Sequence, residues 1–373
     1  MIRLLHIADV HLGASYAAFG PLADSRRAAA LEAFRELPEH AAYLGAHAVL
    51  VAGDLFDDTF PTDRVRAEAR EVVRRLASER PVFIVPGNHD SAPDALPTIN
   101  EAKGSLFVLA EPTFGAPVTV VTDGGPLHIY GIAYDWARDP DPLASFQRAE
   151  APGAHVILLH GAVQDAPHWE AGSALRLPHD SLARLDADYI ALGDYHRFRP
   201  PAGFGQDSPA PACYPGSFAA LDYTETGTHG FVLCELEPEK PPQVTLHSSG
   251  VQAVLDVGEV DVGGCADDAE VADRIADRAD ETSLPTGALE GVPDYDLDAA
   301  AVAEHLRARF GGCHLVDHTR LYDAAWIHEL ADRPTIRGHV ARLGLARAGG
   351  LQGEERQTQL RALRLALHAL ESR

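Results

Sequence analysis

Eight side chains in this sequence share both a chemistry and a kind of place. Asp9, His11, Asp54, Asn88, His89, His160, Asp194 and His196 are oxygen or nitrogen donors, each following closely on a short apolar run that ends in a polar or glycine-containing turn. The runs are Arg3 to Ala8, Ala48 to Ala52, Pro81 to Val85, His155 to Leu159 and Tyr189 to Leu192, and their lengths and β-branched content predict buried strands. In open α/β sheets the carboxyl ends of strands are where ligands bind. Asp9 with His11, and Asp194 with His196, are spaced i, i+2, so in extended chain each pair points to one face and can grip one ion. Asp54 has two oxygens and can bridge two ions. A set of carboxylate, amide and imidazole without thiolate suits manganese, iron or magnesium better than zinc. Two such ions activate a bridging water and clamp phosphate oxygens for in-line displacement. Each motif alone has a plainer explanation, because Asp, Asn and Gly are common in turns and the chain has 19 histidines. Five motifs at five strand exits argue against coincidence.

The elements that must hold these residues alternate. A helical pattern runs from Asp24 to about Gly45, with Asp24 or Ser25 as N-cap, Leu31, Phe34 and Leu37 on its apolar side and a kink at Pro38. Thr62 caps a second helix that carries Val65, Val72, Val73 and Leu76 along one side. Strand, helix, strand, helix, strand implies a layered sheet with helices on its face. Short strands at Leu106 to Leu109, Val118 to Thr122 and Leu127 to Ile132 are expected to form a second, more antiparallel sheet. Strands at Gly230 to Glu237 and Val244 to His247 close the first domain, residues 1–250. Residues 251–350 are acidic, with helical patterns at Asp267 to Ala279 and Asp298 to Phe310 between strands, and predict a small α+β domain. In residues 351–373, Leu360, Leu363, Leu367 and Leu370 mark one face of an amphipathic helix that docks on its own domain or on a partner.

The chain has 373 residues, 46% of them hydrophobic, which is enough to bury a full core. Its formal charge of -24 offers no basic stripe for nucleic acid and reads mostly as solvated surface, leaving the substrate open. Cys213, Cys234, Cys265 and Cys313 are scattered without a metal spacing. No secretory signal or bilayer-length apolar run stands out, so no membrane is involved and the cytoplasm is the expected location.

The succession D-x-H, GD-x-x-D, GNHD, an H-G after an apolar strand, and G-x-x-H resembles the calcineurin-like metallophosphoesterases. Within them, "LLHIADVHLGA", "GDLFD", "VPGNHD", "ALGDYHRF" and "YPGSFAALDYTETGTHGF" are most similar to the bacterial SbcD-type DNA repair exonucleases. Thr335-Ile336-Arg337-Gly338 and Asp317-His318-Thr319-Arg320 resemble their accessory region more weakly. The resemblance implies a four-layer α-β-β-α sandwich of two mixed sheets, with a smaller α+β accessory domain that caps the nuclease. It also implies two divalent ions, Mn2+ foremost, with Mg2+ or Fe2+ as alternatives. Asp9, His11, Asp54 and His196 would hold one ion; Asp54, Asn88 and His160 would hold the other. His89 resembles the family's catalytic histidine, with Asp90 as its partner or as a cap of the turn. Where the family usually has histidine this chain has Asp194, which makes the second site harder and more anionic, unless the side chain turns outward. Arg197, Arg199 and Arg26 lie near the motifs and could contact substrate phosphates.

The function implied is a manganese-dependent DNA repair nuclease, exonucleolytic and with single-strand endonuclease activity, working as a homodimer with an SbcC-type ATPase. The alternatives are a phosphodiesterase for small phosphoesters and a metal-binding scaffold with little turnover.

Overall fold

A computed structural model describes residues 1–58, 61–90, 105–133, 142–163, 175–201, 211–295, 297–319 and 324–370. The chain divides into two compact units, Met1–Ala253 and Val254–Arg373.

In the first unit β1 (Ile2–Ile7) passes through a 3-10 turn at Ala17–Leu22 into α1 (Ala23–Arg35) and α2 (Leu37–Tyr43). The helix therefore begins before Asp24 and has no side-chain cap: Leu22 is its N-cap, because the 3-10 turn feeds straight into it. The break falls at Glu36, with Pro38 in the first turn of α2, where a missing N–H costs nothing. β2 (Ala48–Ala52) leads to α3 (Asp63–Glu79), whose first turn is held by the Thr62 hydroxyl accepting from the Val65 amide. β3 (Val82–Val85), β4 (Leu106–Val108), β5 (Val118–Thr122), β6 (Gly125–Gly131) and β7 (Ala154–His160) follow. β8 (Ala162–Val163) and β9 (Arg176–Leu177) form a small ribbon, α4 is His179–Ala183, and β10 (Tyr189–Gly193), β11 (Ala212–Cys213), β12 (Gly230–Leu236) and β13 (Gln243–Ser248) complete the unit.

Two sheets result, with strand orders β13-β12-β1-β2-β3-β4 and β11-β10-β7-β6-β5. The expected assignment of Leu106 to Leu109 to the second sheet is corrected, since β4 pairs in parallel with β3. The second sheet is mostly parallel rather than antiparallel: only the β5–β6 hairpin runs antiparallel, while β6–β7, β7–β10 and β10–β11 are parallel. A short apolar run shows that it will be a strand and carries no sign of its neighbour.

Successive residues of a strand face opposite sides, and the packing follows that alternation. Leu5, Ile7, Val49, Val51, Val82 and Ile84 face out and pack on Phe34, Leu37, Val72 and Leu76 of the helices. Leu4, Leu50, Ala52, Phe83 and Val85 face in and meet Leu127, Ile129, Val156, Leu158 and Ala191 of the other sheet. Helices, sheet and second sheet form layers; behind the second sheet α4 contributes Leu182 to a further apolar cluster, so the four-layer mixed α/β sandwich is present. Strands β1, β2, β3, β7 and β10 bring their carboxyl ends to one edge.

The second unit is built on a parallel sheet of β14 (Val254–Asp261), β15 (Leu284–Glu290) and β16 (His314–Asp317). α5 (Asp268–Ala276) and α6 (Ala299–Phe310) alternate with these strands, capped by the Asp267 and Asp298 carboxylates. α7 (Ala324–Ala331), α8 (Ile336–Ala348) and α9 (Gly353–Ala369) follow. Leu363 and Leu367 of α9 pack on Ile327, Leu330 and Ala341, so the apolar stripe docks within its own unit. In the motifs of the accessory resemblance, Thr335 caps α8 through the Gly338 amide and Asp317 accepts from Thr319, while Arg320 lies outside the described residues. Among the described residues no helix is long and apolar enough to cross a membrane.

Candidate metal centre

The loop after β1 does not splay from the loop after β2; the two continue to pair beyond the strands. The Asp9 amide donates to the Gly53 carbonyl (3.1 Å), the Val10 and His11 amides donate to the Asp54 carbonyl (2.9 and 3.1 Å), and Leu12 bridges to Phe56. Holding the chain this way requires positive φ at Asp9 (50°), His11 (48°) and Asp54 (51°), and Asp194 joins them at 100°. Non-glycine residues pay on the order of 1 to 3 kcal/mol each for such backbone, which persists where the surroundings over-determine it, chiefly at functional sites. Between the sheets the approach at the site is close at two glycines. A Cβ on Gly53 would stand 2.3 Å from His160 Nδ1, and one on Gly193 1.8 Å from the Ala52 carbonyl oxygen.

The imidazoles are each fixed through Nδ1. His11 Nδ1 lies 3.1 Å from Asp57 Oδ1, His196 Nδ1 lies 2.6 Å from Glu225 Oε1, and His160 Nδ1 lies 2.8 Å from the Ala52 carbonyl. Carboxylates and carbonyls only accept, so each Nδ1 carries a hydrogen and, in the neutral ring that a metal requires, each Nε2 presents a lone pair. The Nε2 atoms of His11 and His196 then face each other at 3.3 Å, and His160 Nε2 faces the Asn88 carboxamide oxygen at 2.9 Å. Acceptor facing acceptor is the signature of a place for a proton or a cation. Asp54 stands between the halves, its Oδ2 3.4 Å from His160 Nε2 and 3.9 Å from His11 Nε2. Ligand atoms of Asp9, His11 and His196, of Asp9, Asp54 and His160, and of His11, Asp57 and His89 cluster tightly enough to hold metal ions. The residues thus fit a divalent pair.

Charge is concentrated accordingly. Burial pushes the Asp9 carboxyl up, against the neighbouring His196 and His160. Burial also opposes ionisation of Asp54, but the His160, His11 and His89 imidazoles around it take its carboxyl below the ordinary range. His196 is likewise disfavoured as a cation by burial, yet the Glu225 hydrogen bond and the Asp9 charge raise it to about 9. Burial raises Asp194 to about 6, with His160 opposing.

Asp194 points its Oδ1 to within 3.7 Å of His160 Nε2, and its amide donates to both oxygens of Asp9 (3.0 and 3.1 Å). The His89 amide donates to Asp54 Oδ1 (2.9 Å) and its ring Nδ1 to the Asp57 carbonyl (2.7 Å), leaving Nε2 for other partners. The partner of that ring is therefore Asp57, not Asp90. Asp90 is fully buried and its oxygens accept from the Leu55 and Gly87 amides (2.7 and 2.5 Å), tying the two ligand loops together. Arg197 is exposed and donates to the Thr224 carbonyl (3.0 Å), and Arg199 exchanges backbone hydrogen bonds with Tyr214. Arg26 is not available to substrate: it is 4% exposed, donates to the Gln252 and Ala220 carbonyls and lies 4.0 Å over the Phe19 ring.

Two functional groups escaped sequence reasoning. Asp57 ends the Gly53-Asp54-Leu55-Phe56-Asp57 turn and was visible as a motif letter without a role. Glu225 sits in a loop, within the Tyr214 to Phe231 stretch that carries the resemblance but with no role assigned to it there, and its Oε2 accepts from Ser217 Oγ and the Leu221 amide (both 2.9 Å).

The calcineurin-like phosphoesterase family model matches residues 2–198. The DNA double-strand break repair protein Mre11 of Methanosarcina acetivorans is 32% identical over 210 residues, covering 53% of this chain and 31% of that protein. Its namesake from Archaeoglobus fulgidus is 30% identical over 242 residues, 60% of this chain and 52% of that protein. The Halobacterium salinarum namesake is 26% identical over 342 residues, 90% of this chain and 81% of that protein. The chain spans about a third of the length of the first of these relatives and about half of the second. The family match covers more than half of the chain and takes in every strand exit from Asp9 to His196, and the chain belongs to the calcineurin-like phosphoesterases.

Proposed function

We propose that this chain is a two-metal phosphodiesterase that cuts DNA as a repair nuclease, exonucleolytically and with single-strand endonuclease activity. The observation that carries the metal reading is the pair of Nε2 lone pairs of His11 and His196, 3.3 Å apart, each imidazole backed by a carboxylate. Asp9, His11, Asp54 and His196 would hold one ion, and Asp54, Asn88, His160 and Asp194 the other. The oxygen-rich set favours manganese, with magnesium or iron as substitutes. Such ions supply a water that ionises near neutrality and positive charge for phosphate oxygens.

The chain's own work falls to His89. With Nδ1–H committed to the Asp57 carbonyl, a second proton on Nε2, in the imidazolium form, is what would pass to the leaving oxygen or hydrogen-bond a phosphate oxygen as charge builds there. Asp90 keeps that loop in place. The DNA substrate is supported by the relatives, whose names are DNA double-strand break repair proteins, and by the SbcD-like motifs. On the same support, residues 251–350 form the capping domain, residues 351–373 the C-terminal helix, Arg197 and Arg199 contact phosphates, and the partners are a second copy and an SbcC-type ATPase in the cytoplasm. A second reading, a phosphodiesterase for small esters, is favoured by the charge of -24.

The test is hydrolysis of end-labelled linear DNA beside bis-p-nitrophenyl phosphate, with manganese, magnesium or chelator, for wild type and His89→Ala. Manganese-dependent DNA degradation, lost in a variant that keeps its metal, is the expected result. Turnover of the small ester with intact DNA supports the second reading. Equal inertness of both proteins on both substrates overturns the enzyme reading in favour of a scaffold.

A further inference from the structure

Behind the three metal-facing imidazoles stand unlike partners. His11 and His196, on one side of Asp54, rest their Nδ1–H groups on the carboxylates of Asp57 and Glu225; His160, on the other side, rests on the neutral Ala52 carbonyl. The chain invests structure in the first arrangement. The Glu225 side chain is only 13% exposed, and its second oxygen is taken by Ser217 Oγ and the Leu221 amide, with Ser217 Oγ in turn 2.8 Å from His229 Nδ1. That network aims Glu225 at His196.

An anionic acceptor at Nδ1 draws electron density into the ring and makes Nε2 a stronger donor than a carbonyl does, while also locking tautomer and ring orientation. Each half of the centre has one unshared carboxylate, Asp9 or Asp194, and shares Asp54; in direct reach the halves differ by one group, a second imidazole in the first against the Asn88 carboxamide in the second. A further difference lies one bond out: carboxylates accept from both imidazoles of the first half, and the Ala52 carbonyl accepts from that of the second.

We infer that Glu225 and Asp57 are positioning residues that make the two metal positions unequal, so that the His11/His196 position binds its ion first and more tightly and the Asn88/His160 position loads second. This rests on the metal centre proposed above. The Asn88/His160 ion is then the exchangeable one, and a protein at limiting metal holds a single ion.

The experiment is a manganese titration of the full chain, stripped with chelator and followed by the electron paramagnetic resonance signal of unbound Mn2+, which counts bound ions without reference to activity. Wild type is expected to show two classes of site differing at least tenfold in dissociation constant. Asp57→Asn keeps an acceptor oxygen for His11 and removes the charge, and Glu225→Gln removes the charge while turning its NH2 on one of its donors; each should weaken the tight class by about ten- to a hundredfold and leave the weak class within about threefold. Asp57, 36% exposed at its side chain, guards against misfolding of the more buried Glu225 variant. A single class in wild type, unchanged constants in both variants, or an equal loss from both classes overturns the inference while leaving a dinuclear centre standing. A wild type that binds no manganese overturns the centre itself, and the inference with it.

Discussion

Gly193 sits so close to Ala52 that a single added carbon would stand 1.8 Å from the Ala52 carbonyl oxygen, the same oxygen that accepts from His160 Nδ1. The two sheets therefore touch, backbone to backbone, where the second sheet delivers Asp194 and His196 to the first. Gly193→Ala must push β10 away from β2 and displace His160, whose Nδ1 would lie 2.9 Å from the new Cβ. The expected cost is on the order of 1 to 3 kcal/mol or more, read as a lower urea midpoint, together with weaker manganese binding. Gly115→Ala, with open space around it, is the control and should stay within about 0.5 kcal/mol of wild type. Equal midpoints for both variants would show that the sheets can part without harm.

Asp90 is a fastening between loops, and its chemistry predicts what Asp90→Asn does. Both oxygens accept backbone amides in a fully buried place. The carboxamide can accept only one of them, and its NH2 must face the other donor. Leaving a buried donor without an acceptor costs on the order of 1 to 3 kcal/mol. Hydrolysis should fall in parallel with the folded fraction. An Asp90→Asn protein as stable as wild type but inert would return Asp90 to the reacting groups.

Much of this was readable before any coordinates, for a physical reason. A buried strand and the breaker that ends it are local, so Ala48 to Ala52 and its exit at Gly53-Asp54 are written in consecutive residues, as is the Thr62 cap of α3. What is not local was not readable. Leu106 to Val108 could have joined either sheet, because pairing with β3 depends on hydrogen bonds to a distant segment. Leu363 and Leu367 announced an apolar face without saying what covers it. Glu225 reaches His196 across 29 residues of chain, and the motif that contains it does not say which distant side chain it meets.

Arg26 and Arg197 look alike beside the motifs and should behave oppositely. The Arg26 guanidinium is buried, spent on the Gln252 and Ala220 carbonyls and stacked over Phe19. Arg26→Ala loses those bonds and that packing, and the expected loss is on the order of 2 to 4 kcal/mol, with the Michaelis constant of the remaining folded enzyme unchanged. Arg197 is exposed, so Arg197→Ala should alter stability by less than about 0.5 kcal/mol and act, if at all, on substrate binding. Thermal unfolding beside steady-state kinetics separates the two; a stable Arg26→Ala with a raised Michaelis constant would place Arg26 on the substrate.

His6 predicts how stability responds to acid. It lies in β1 with no solvent exposure, its Nδ1 2.9 Å from the Tyr189 hydroxyl, and burial pushes its pKa from 6.5 down to about 3. Between those values the unfolded chain binds a proton that the folded chain refuses. Stability contributed by the neutral ring is therefore complete above about pH 6.5 and declines as the pH falls, by up to about 1.4 kcal/mol per pH unit, until the folded pKa is reached. Other buried histidines, such as His155 and His229, act in the same direction, so the measurement must be a difference. Urea unfolding of wild type and His6→Gln at about pH 7 and about pH 4.5 supplies it: the variant is less stable at neutrality, but wild type should lose roughly 2 to 3 kcal/mol more on acidification. Parallel losses in the two proteins would mean that His6 takes up its proton without leaving the core.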